Sequence, residues 1–98
     1  MAKMIRNPTT PGELLKEEFL APLELTQGEL ALHLNCDVKV INRIINGHTG
    51  VTAEMAIKLA AAFNTTPEFW LNAQKAVDLY KASKKMNKLP KSLLLKTA

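Results

Sequence analysis

An all-α bundle of five short helices is the fold class that this 98-residue sequence predicts, and three observations predict it. Apolar residues recur at helical spacing in five stretches, no stretch alternates as a half-buried strand does, and Gly, Asn or Thr-Pro punctuates the intervals. A length of 98 residues suits one domain whose core needs no disulfide.

Thr10-Pro11-Gly12-Glu13 starts the first helix, with Thr10 and Glu13 spaced as a capping box and Pro11 at the first helical position. Its apolar stripe is Leu14, Leu15, Phe19 and Leu20, and the helix is expected to stop before Pro22. Thr26 and Glu29 repeat the box for helix two, which has Leu30, Ala31 and Leu34 inside and ends at Asn35. Asp37 is placed to cap helix three, whose apolar positions Val40, Ile41, Ile44 and Ile45 run to the stop Asn46-Gly47. β-Branched residues give that helix poor intrinsic propensity, so tertiary packing must hold it. Thr52 caps helix four, with Met55, Ala56, Leu59, Ala60 and Phe63 inward and an end near Asn64. Thr66-Pro67-Glu68 opens helix five, which carries Phe69, Trp70, Ala73, Val77 and Tyr80 to about Lys81. The domain is therefore taken as residues 1–82, and residues 83–98 as a basic, mobile extension interrupted by Pro90.

The net charge of +4 is misleading by itself, because residues 1–80 hold seven Lys/Arg against all nine acids whereas residues 81–98 hold six Lys and no acid. Excess charge belongs to the tail, so a claim that the folded part binds DNA must rest on residue spacing. The lone Cys36 excludes an internal disulfide, no apolar run is long enough to span a membrane, and MAKMIRNPTTPGE lacks a signal peptide's apolar stretch. A cytoplasmic protein is expected.

Helices two and three have the spacing of a helix-turn-helix. Ala31 permits a close crossing, Asn35 tolerates the left-handed backbone of a tight turn, and Leu30, Leu34, Ile41 and Ile44 join the pair from inside. Such a pair presents its second helix to the major groove, about 12 Å wide. The outward positions of helix three are Val38, Lys39, Asn42, Arg43 and Asn46. Arg43 suits a bidentate pair with guanine, Lys39 guanine or phosphate, Asn42 adenine and Val38 a thymine methyl. These four are the candidate base contacts; Thr26, Gln27, Asn46 and His48 are the candidate phosphate contacts. For Lys39 and Arg43 the alternative is an ordinary solvated face; for Gln27 and Thr26 it is capping alone. Asp37 at the helix start favours the helix dipole and repels DNA.

With those positions in hand, the stretch LTQGELALHLNCDVKVINRIINGHTGVTAEMAIKLAAAFNTTPEFWLNAQKAVDLYKA resembles the Xre-type, lambda-repressor-like DNA-binding domain, and within that class the HigA (also VapI) antitoxins. The narrower likeness lies in NGxxx(V/I)(T/S)xEMA at residues 46–56 and EFWLNxQ at residues 68–74, and it covers residues 8 to about 82. The resemblance implies a dimeric repressor of its own operon that binds double-stranded operator DNA and pairs with a HigB-like toxin, a small ribosome-dependent mRNA endonuclease. A solitary Xre-type regulator and a protein-interaction module are the competing readings.

A dimer seam is expected on helix five (residues 66–82) at Trp70, Ala73 and Val77, where an apolar stripe makes core or seam a better reading than ligand stacking. His33, Cys36 and His48 lack the pairing of a metal site, and Glu13, Glu17 and Glu18 lack a companion nucleophile; neither a metal, a cofactor nor an enzyme is expected. Three readings of the tail stand: Lys81, Lys84, Lys85, Lys88, Lys91 and Lys96 add non-specific DNA affinity, Leu89, Leu93, Leu94 and Leu95 order on a protein partner, or the tail is disordered and does neither.

Overall fold

The computed structural model describes residues 6–94. Leu95 and Lys96, named above in the tail, lie outside the described residues, as do residues 1–5 of the expected domain. Among the described residues there are five helices and no strand: α1 (residues 11–23), α2 (Gln27–Leu34), α3 (Val38–Ile45), α4 (Ala53–Phe63) and α5 (Pro67–Lys85).

Every expected N-terminal cap forms. Thr10 with Glu13 and Thr26 with Glu29 make reciprocal capping boxes, and Asp37, Thr52 and Thr66 each accept an N–H of the first turn. The first four helices, α1 to α4, share one device at their ends. Glu24, Asn35, Gly47 and Asn64 have φ of 55°, 58°, 75° and 58°, and the residue after each donates its N–H back five positions, to the carbonyls of Leu20, Ala31, Arg43 and Ala60 at 2.9, 2.9, 2.8 and 3.0 Å. Each left-handed residue thus turns the chain while satisfying a carbonyl that the helix would leave open.

Two boundaries and one facing differ from expectation. Helix α1 does not stop before Pro22 but continues to Leu23, passing through a π-helical stretch, Leu15–Leu20. There the Ala21 N–H reaches the Lys16 carbonyl, five residues back, and this widened turn accommodates a residue that has no N–H and whose ring would crowd the carbonyl four positions earlier. Helix α5 runs to Lys85, so the break expected after residue 82 falls three residues later. Val40 is exposed rather than inward, because Ile41 and Ile44 already fill the buried side of α3.

One core joins all five helices. Leu15, Leu30, Ile41, Leu59 and Trp70 are its largest fully buried side chains, with Ala31, Ile44, Val51, Met55 and Ala56 between them. Helix α2 packs on α3, α4 along α5, and α1 against both α3 and α5. Trp70 is enclosed by Phe19, Phe63 and Phe69, with ring centroids 5.3, 6.5 and 5.1 Å away, and its Nε1 donates to Thr65 Oγ1 at 2.8 Å. At 0% exposure Trp70 has no surface for a second chain and Val77, at 8%, has almost none. Both are corrected from seam to core; Ala73 alone of the three expected seam residues is half-buried.

Candidate nucleic-acid interface

The turn between α2 and α3 answers to two residues. Ala31 is 3% exposed where α2 and α3 cross, and Asn35 takes the left-handed conformation that closes α2. Two residues later the Asp37 carboxylate accepts the Lys39 N–H at 2.9 Å and starts α3. Ile41 and Ile44 anchor α3 below at 0% and 3% exposure, which forces the intervening polar side chains outward.

Val38, Lys39, Asn42 and Arg43 are accordingly exposed, and with Gln27 they line one shallow groove on the surface. Four candidate base contacts and one candidate phosphate contact are thereby brought together. Asn46 and His48 are exposed beside the C-terminal end of α3, and Thr26 is exposed at the start of α2. The Thr26 hydroxyl oxygen accepts the Glu29 N–H at 3.0 Å, which leaves its proton available to an outside acceptor.

A chain of amides crosses this surface. Asn46 Nδ2 donates to Asn42 Oδ1 at 3.1 Å, and Asn42 Nδ2 donates to Gln27 Oε1 at 3.1 Å. The Gln27 side-chain oxygen is thus directed at Asn42, and its NH₂ is the edge turned away from that bond. The Asn42–Asn46 spacing of four was visible in the sequence as a same-face pair; the link to Gln27, fifteen positions away, required the tertiary crossing. Asn42 keeps one N–H and one oxygen lone pair, the set that an adenine edge pairs with.

Behind the groove, α3 rests on α1 without an intervening side chain. A Cβ on Gly12 would strike the Ile44 carbonyl oxygen and lie 2.8 Å from Ile45 Cα, so glycine alone lets the two backbones meet. The loop after α3 is tied back by His48, whose N–H donates to the Arg43 carbonyl at 2.8 Å.

Among the described residues no His, Cys, Asp or Glu side chains gather as a metal site, and His33, Cys36 and His48 do not form one. Cys36 is half-buried against the core. No helix among the described residues is long and apolar enough to cross a membrane.

Known proteins share this fold. Residues 15–70 match the helix-turn-helix family. Antitoxin HigA-1 of Vibrio cholerae is 49% identical over 80 residues, which span 82% of this chain and 75% of that protein. The solved structure described as Pseudomonas aeruginosa antitoxin HigA with the higBA promoter superposes with a TM-score of 0.82 at 32% identity, covering 89% of this chain and 99% of that one. Antitoxin GraA in complex with its operator gives 0.74 at 33% identity, covering 93% and 100%. From its own helices to these relatives, the chain belongs to the Xre-type helix-turn-helix family, in the branch that contains the HigA antitoxins.

Proposed function

We propose that this chain is a sequence-specific, DNA-binding transcriptional repressor that acts as the antitoxin of a HigB/HigA-type toxin–antitoxin module. It works in the cytoplasm and catalyses no reaction. The observation that carries the reading is the shared, exposed groove of Gln27, Val38, Lys39, Asn42 and Arg43 on a helix whose opposite side is fully anchored. In this reading α3 enters the major groove. Arg43 pairs with a guanine, Asn42 with an adenine, Lys39 with guanine or phosphate, and Val38 packs on a thymine methyl. Thr26, Gln27, Asn46 and His48 hold the backbone on either side and set the register. Relatives solved with a promoter and with an operator support it.

Repression as a homodimer is part of the same proposal. Two copies of α3 then address half-sites about one helical turn apart on a near-palindromic operator. On α5, Phe69 at 39% and Leu79 at 56% exposure supply apolar surface that the core leaves free. The helical part of the chain is the reading unit, and the lysine-rich segment beyond it stands outside that unit.

The test is binding of labelled duplex from the promoter upstream of the chain's own gene, titrated with salt. Wild type should bind with a steep salt dependence, and Arg43→Ala should weaken binding at one base pair by about 1–3 kcal/mol. Equal binding by wild type and Arg43→Ala overturns the base-reading assignment. Co-expression with the adjacent reading frame tests the antitoxin role separately: growth arrest that persists beside soluble antitoxin eliminates it.

A further inference from the structure

The loop that follows the reading helix is held at both ends, and one of the two ties comes from a residue that no DNA-facing argument involves. Its first end, His48, is bonded to the Arg43 carbonyl at 2.8 Å. At its other end the Val51 N–H donates to Gln74 Oε1 on α5 at 2.9 Å. Gln74 is itself set by Asp78, one turn on, whose Oδ1 accepts from Gln74 Nε2 at 3.0 Å. Gly50 sits so close to the Gln74 amide that a Cβ there would lie 2.9 Å from its carbon, nitrogen and oxygen alike. The amide therefore packs against Gly50, with its oxygen bonded to Val51 and its nitrogen to Asp78, while Val51 is buried in the core at 5% exposure. Gln74 is also the last residue of the EFWLNxQ stretch, whose aromatic members are explained by the core and whose glutamine is not.

We infer that Gln74 is a positioning residue for DNA binding: through Val51 and Gly50 it fixes the His48–Gly50 loop at the height where His48 meets a phosphate. The inference rests on the DNA-reading proposal above. Asp78 completes the clasp by fixing which edge of the amide faces Val51. A segment that must present a donor to a phosphate gains from being ordered beforehand, since ordering it on binding opposes association.

The experiment measures promoter-duplex affinity and salt slope for wild type, Gln74→Ala, His48→Ala and the double variant, with Val51 amide exchange followed in the free proteins. Gln74→Ala should lower affinity about three- to tenfold, speed Val51 exchange, and add little once His48 is already Ala, because the two act on one contact. Combined with Arg43→Ala, the same change should instead multiply with the loss there. Gln74→Glu with Asp78→Asn exchanges donor and acceptor within the clasp and should restore affinity, which general loss of stability would not allow. Gln74→Ala binding like wild type, or costing as much in the His48→Ala background as alone, overturns the inference even while Arg43→Ala is impaired. Failure of wild type to bind, or an Arg43→Ala protein that binds normally, overturns the DNA-reading proposal itself and this inference with it.

Discussion

Asn42 on α3 donates to the side-chain oxygen of Gln27 on α2 at 3.1 Å, so the residue proposed to read a base and the residue proposed to grip a phosphate hold each other. Removing Gln27 therefore has two effects, loss of a phosphate donor and release of the Asn42 amide. Gln27→Ala should weaken binding across all operator variants, with a salt slope lowered by about one. Asn46→Ala removes a proposed phosphate donor and also frees Asn42 Oδ1, so beside a uniform loss it should give up about 1 kcal/mol of discrimination at a single A·T pair. Duplexes altered one base pair at a time separate the two parts; an Asn46→Ala loss with no dependence on sequence would contradict the proposed role of the amide chain.

Gly12 carries a stability prediction. Its missing Cβ is the space occupied by the Ile44 carbonyl, and both neighbours are backbone that cannot swing aside. Gly12→Ala should cost about 1–3 kcal/mol as an overpacking change, read as a fall of about 4–8 °C in Tm per kcal/mol for a domain of this size. An unchanged melting curve would show that α1 and α3 separate more readily than their contact implies.

Glu24 carries the opposite one. It occupies the left-handed region at φ 55°, as Asn35, Gly47 and Asn64 do, yet has neither glycine's freedom nor asparagine's tolerance. Glu24→Gly should raise stability by about 0.5–1 kcal/mol, the left-handed penalty of about 1–2 kcal/mol being partly offset by the greater chain entropy of glycine. Denaturant midpoints compared with Glu24→Ala, which keeps the penalty, check the sign.

Trp70 should behave as core. Trp70→Phe leaves Thr65 Oγ1 without its donor and opens space among Phe19, Phe63 and Phe69, for a loss of about 2 kcal/mol. Sedimentation at fixed concentration should give the same assembly state as wild type, since the ring has no exposed surface. A change in assembly state with stability intact would return Trp70 to the seam.

Most of the fold was legible because its signals are local. Thr10, Thr26, Asp37, Thr52 and Thr66 cap through bonds spanning two or three residues, and Asn35, Gly47 and Asn64 declare helix ends through a backbone preference. Pro22 misled for a related reason: its rule assumes α-helical register, and the π-helical turn before it changes that register. Glu24 gave no signal at all, glutamate being an ordinary surface residue in any helix. At the reading surface the outward set of α3 followed from its periodicity. The pairing of Gln27 with Asn42 and the grip of Gln74 on Val51 did not, because each joins residues fifteen or more positions apart through a packing that only the assembled core defines.

The bare first turn of α1 against α3 has a broader consequence. At Gly12 main chain meets main chain, so the outward side chains of Lys39 and Arg43 take no part in seating α3 on α1. On the proposed reading, exchanging those two would recode what the helix recognises without moving its support, whereas Asn42, tied to Gln27 and Asn46, would carry its neighbours with it.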